Sequence, residues 1–160
     1  QDELMGIPSF ETPDYSELFS EEKEMIKKLK KTFLMVAGGA VQKYGQNLED
    51  HQQLLIAAAD ILIEIYMAES AILRTEKNVK RTSEKEQSAQ IAMAKLYLYH
   101  AIDIVEEKGK ESIISFAEGD EQRMLLMGLK RFTKYVNYPD IVDLRIEIAE
   151  KVKAENKYCF

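Results

Sequence analysis

Apolar residues return at intervals of three and four along most of this chain, the spacing that lines up one face of an α-helix. From Ser20 onward Ile26, Leu29, Phe33, Val36, Ala40 and Tyr44 keep that interval up to Gly45. A helix is expected there, N-capped by Ser20, favoured by Glu21 and Glu22 in its first turn and stopped by the glycine. Asn47 with Asp50 resembles a capping box for a second helix, in which Leu54, Ala58, Ile61, Ile65, Ala68 and Ile72 form an apolar seam. Running to about Arg81, this helix would be about 50 Å long, the spine of a bundle. Ser83 and Glu86 offer another capping box, and the third helix, Ala89 to Val105, is apolar almost all round, so it should be the most buried element.

Gly109 is expected to break or bend that helix, with a short helical continuation over residues 111–119. Asp120 can cap a fourth helix containing Met124, Leu125, Met127, Leu129 and Phe132. Asn137, Tyr138 and Pro139 mark the next turn, with the proline at the first position of a segment holding Ile141, Leu144, Ile148 and Val152. No period-2 alternation is sustained enough for a strand, and there is no repeat or low-complexity tract. The fold expected is all-α, an antiparallel up-and-down bundle of four to five helices.

Ahead of the bundle, Gly6 to Phe19 combines two prolines and scattered aromatics, which predicts an extended connector over residues 1–19 and a helical domain over 20–160. Gln1 is not an initiator Met, which suggests a piece of a longer protein. At 160 residues one core is expected, and 46% hydrophobic with 31% charged residues suits a folded helical chain. The net charge of −6 argues against nucleic acid as a partner. Cys159 is the only cysteine, so an intrachain disulfide is impossible and a reducing cytoplasm fits. The most apolar stretch, Ile91 to Val105, is interrupted by Lys95, His100 and Asp103 and is too short to span a bilayer, so a soluble chain is expected.

Candidate chemistry is sparse. A di-iron bundle needs Glu-x-x-His pairs, but Leu48 and Tyr97 stand three before His51 and His100, so no metal site is expected. His100 and Asp103, one turn apart, could be a base and its orienting carboxylate; without a Ser, Thr or Cys nucleophile they read as a core histidine satisfied by a neighbour. Gly38 and Gly39 lie inside a helical pattern and point to close helix packing rather than a phosphate cradle. Lys27, Lys28, Lys30 and Lys31 could meet anionic lipid or a CoA phosphate, but with Glu21, Glu22 and Glu24 beside them they read as a solvated face.

The stretch ADILIEIYMAESAILRTEK (59–77), followed by SAQIAMAKLYLYHAIDIV (88–105), resembles the helix pair that opens the C-terminal bundle of acyl-CoA dehydrogenases. The chain from Ile7 to near its end is similar to the extra C-terminal domain of the longer bacterial members, related to the very-long-chain type. The resemblance implies a flavoenzyme parent that oxidises fatty acyl-CoA at the α,β bond in β-oxidation. In it a glutamate takes the α-proton and FAD takes hydride from the β-carbon. It further implies that this domain is a second, degenerate bundle packed on the catalytic domains of the same chain, helping to hold a homodimer.

The departures define what this domain should lack. The family's catalytic bundle continues with a Gly-Gly-x-Gly segment and an aromatic-Glu-Gly-Thr segment that bears the base. Here Glu118 and Gly119 echo the Glu-Gly pair, but Asp120 replaces Thr, the nearest aromatic is displaced to Phe116, and the glycine-rich segment is missing. Glu118 is therefore read as non-catalytic, Glu64 and Arg74 as scaffold, and no catalytic, cofactor-binding or metal residue is expected in this chain. Two functions follow: a non-catalytic docking and oligomerisation bundle of an FAD-dependent acyl-CoA dehydrogenase, or an independent helical module for acyl chains or an anionic membrane.

Overall fold

The computed structural model describes residues 15–157. Within them the chain forms helices α1 (Ser20–Tyr44), α2 (Gln52–Arg81), α3 (Ser88–Phe116), α4 (Gly119–Phe132) and α5 (Ile141–Glu155), with a 3-10 turn over Gly45–Asp50. The helical bundle expected from the apolar spacing is present, and no strand occurs among the described residues. The connector expected over 1–19 falls mostly on residues 1–14, outside the described residues, as does Cys159.

The first four helices run up and down. Lys23 pairs with Glu76 and Lys30 with Glu69, so the start of α1 lies against the end of α2. Lys95 pairs with Glu22 and the Tyr44 hydroxyl donates to the Ser115 carbonyl, which sets α3 parallel to α1. Helix α3 touches all four others, and α5 lies on its outer side. This central place explains why α3 has to be apolar almost all round: Ala92, Leu98, Ala101, Val105 and Ile113 are all buried. The core is completed by Leu29 and Val36 of α1, by Ile61, Ile65 and Ile72 of α2, and by Phe19, which is buried ahead of α1.

Several local expectations are corrected. Ser20 is the first helical residue rather than the cap; Phe19 holds the capping position at φ 63° with no side-chain bond, and Ser20 Oγ donates backward to the Glu17 carbonyl. Burying the Phe19 ring offsets the cost, of about 1 kcal/mol or more, of a left-handed non-glycine residue. Asn47 and Asp50 do not cap α2, because Gly45–Asp50 winds into the 3-10 turn and His51 precedes the helix. Asp120 sits inside the first turn of α4, after Glu118 and Gly119. Asp140 rather than Pro139 opens α5, its carboxylate accepting from the Val142 and Asp143 amides.

Gly109 does not break the helix, since α3 continues to Phe116. Its lack of a side chain serves packing instead: a Cβ there would lie 2.8 Å from Leu129 Cδ1 of α4. Gly45 ends α1 as expected, at φ 54°. At Ser83 the hydroxyl accepts from the Glu86 amide, half of the predicted capping box, although regular helix starts only at Ser88.

Candidate functional site

Each position with possible chemistry can be placed. His100 is exposed, not a core residue, because it lies on the side of α3 that α5 covers only in part. Arg145 Nη2 of α5 is 3.3 Å from His100 Nε2; a guanidinium can only donate, so this imidazole nitrogen accepts. Asp103 is also exposed, and the His100 contact ties α5 to α3 without involving a nucleophile. Glu118 is exposed at the start of α4 in extended backbone.

Glu64 and Arg74, 10 residues apart on α2, part company: Arg74 is exposed, while Glu64 Oε2 accepts from the Tyr97 hydroxyl at 2.8 Å and joins α2 to α3. Burial and this carboxylate push the Tyr97 hydroxyl up to about 12. The folded value exceeds the ordinary 10, so the stabilisation is fully present below pH 10 and is lost as pH rises towards 12. We expect Tyr97→Phe to cost about 1–2 kcal/mol at neutral pH and to make the fall in melting temperature above pH 10 shallower than in the parent. A variant with the parent's alkaline slope would refute the coupling.

Gly38 and Gly39 sit in the middle of α1, their backbone amides within the helical ladder, so they form no open turn for a phosphate. The lysine run is engaged with the bundle: Lys30 pairs with Glu69 of α2, Lys27 with Glu24, and Lys28 reaches the Met25 sulfur. A cleft of about 440 Å³ opens where Tyr44, His51, Leu54 and Ser112 meet. His51 stacks on Tyr44 there with centroids 3.6 Å apart. The Ser112 and Ser115 hydroxyls donate to the Lys108 and Ser112 carbonyls, so their protons are committed to the backbone of α3. No cluster of three or more metal-ligating side chains occurs among the described residues.

The feature that inspection of the apolar seam misses is the opposite face of α2. Ile56, Ile63 and Tyr66 are 52%, 56% and 67% exposed, and Leu55, Leu62, Met67 and Leu73 are exposed beside them. At 100° per residue these side chains share one broad stripe turned away from Ile61, Ile65 and Ile72. The signal was available in the sequence, since Ile61 to Met67 contains more apolar residues than one seam can use. Three of the four acids of α2 are turned elsewhere, Glu64 to Tyr97, Glu69 to Lys30, and Glu76 to Lys23 and Lys80. Hydrogen bonds from Lys23 and then Lys80 hold the Glu76 carboxyl below its ordinary value. No described helix is long and apolar enough to cross a membrane.

Comparison with known proteins bears on all of these positions together. A family model described as "Acyl-CoA dehydrogenase, C-terminal domain" matches residues 28–131. A "Probable acyl-CoA dehydrogenase" of Bacillus subtilis (strain 168) is 34% identical over 158 residues, which is 99% of this chain and 26% of that protein. The crystal structure of an acyl-CoA dehydrogenase complexed with FAD from Bacillus anthracis matches with a TM-score of 0.90 at 33% identity, covering 99% of this chain and 27% of that one. The chain thus spans about a quarter of the length of these relatives.

Proposed function

From the premise that this chain belongs to the acyl-CoA dehydrogenase C-terminal domain family, we propose that it is the non-catalytic docking and oligomerisation bundle of an FAD-dependent acyl-CoA dehydrogenase. The observation that carries this reading is coverage: nearly all of this chain matches only a quarter of a dehydrogenase. Residues 20–160 are then the docking bundle and 1–19 its connector. The parent oxidises fatty acyl-CoA at the α,β bond in the cytoplasm and works as a homodimer. The described residues do not suit FAD themselves: they are helices and short connections, and the Gly38–Gly39 amides belong to a helix interior, so no glycine-rich turn presents free N–H groups to a pyrophosphate. No reaction step is assigned to this chain.

The purified 160-residue chain is expected to be colourless and to reduce no dye with acyl-CoA. The parent polypeptide is expected to carry flavin and to sediment as a dimer that dissociates when residues 20–160 are removed. A flavin spectrum in the short chain would overturn the non-catalytic assignment, and a parent whose dimer survives the deletion would remove the oligomerisation role.

A further inference from the structure

We infer that the outward stripe of α2 is the surface by which this domain docks on the remaining three quarters of its own polypeptide. The inference rests on the proposed reading of the chain as part of a longer dehydrogenase, and adds the face used and the identity of what covers it. Leu55, Ile56, Leu62, Ile63, Tyr66 and Leu73 are all exposed on one helix. Together they put on the order of 600 Å² of apolar surface on one side, the upper end of what a lone domain leaves in water and close to one side of a standard interface.

Two physical arguments choose the occupant. A helix that lies on an anionic membrane carries Lys or Arg along its apolar face, whereas from Leu55 to Leu73 this stripe has no basic residue, and Arg74 and Lys77 stand only at its C-terminal end. Over most of its length the stripe offers an anionic lipid surface no cation to hold it. Between a second copy and the rest of the same polypeptide, covalent connection decides: a tethered partner is present at an effective concentration of about a millimolar. The relatives are long enough to supply that partner, since three quarters of each lies outside the region matched here.

The test uses the full-length parent with a photo-cross-linking phenylalanine derivative at Ile63 or Tyr66, and at the exposed Glu150 of α5 as a control. Irradiation at Ile63 and Tyr66 is expected to give monomer-sized products joined to segments upstream of this domain, at ten or more times the yield from Glu150. Cross-links from Glu150 but not from Ile63 or Tyr66 would overturn the inference and leave docking by another face. Dimer-sized products from Ile63, or links confined to residues 1–14, would overturn it by naming a different cover. If no position links to the upstream segments, the docking function itself fails.

Discussion

Replacing Ile65 by Asp is expected to unfold this bundle. Ile65 is 2% exposed in the centre of the core, where a carboxylate would lose its water and gain no partner. The cost is several kcal/mol, set against a total stability of about 5–15 kcal/mol for a domain of this kind. Ile63→Asp provides the decisive contrast, since two residues along the same helix the side chain is 56% exposed and the new carboxylate stays hydrated. The Ile63 variant of the 160-residue chain should melt within a few degrees of the parent. Lys77→Ala, also exposed, should change stability by no more than about 0.5 kcal/mol. Thermal melts followed by circular dichroism check all three. An Ile65→Asp variant that stays folded near the parent midpoint would refute the assigned core.

Gly39→Ala is expected to destabilise the protein by about 1–3 kcal/mol, whereas its neighbour Gly38→Ala should stabilise it by up to about 1 kcal/mol. Helix propensity alone predicts a gain at both, because alanine orders a helix at lower entropic cost than glycine. The difference comes from α3. A Cβ on Gly39 would lie 2.6 Å from Cε2 and 2.7 Å from Cζ of Phe116, a buried ring that cannot bend out of the way as an aliphatic tip can. At Gly38 nothing lies within 4 Å. Urea unfolding of the two variants should move the midpoint in opposite directions; a gain at both would mean that the Phe116 ring yields.

Gly38 and Gly39 also show where local pattern stops being informative. Both occupy a helical run, and close packing is a sound expectation for the pair, but only the position of Phe116 says which one needs to be a glycine. His100 is a parallel case: its spacing within an apolar helix suggested a core residue, yet it falls on the side of α3 that α5 only partly covers. The capping positions failed for a related reason, because Ser20, Asn47 and Asp120 are good local caps whose places were taken when Phe19 was drawn into the core, residues 45–50 tightened into a 3-10 turn, and α4 began at Gly119.

The chain by itself determined the class of the fold. Apolar periodicity is a property of consecutive residues, and it names the helices, their seams and the central, nearly all-apolar α3 before any contact is known. The family, too, is written in residues that can be compared one by one. Which of two apolar faces of α2 would be covered was decided only in the tertiary structure. Ile61 and Ile63 are equally apolar in sequence, and α2 turns the first into the core and the second into solvent. Beside the buried seam, Glu64, Glu69 and Glu76 meet Tyr97, Lys30 and Lys23 on the elements packed against it, contacts that fit only this rotation of the helix. Those partners lie between 33 and 53 residues away along the chain, beyond the reach of any local pattern.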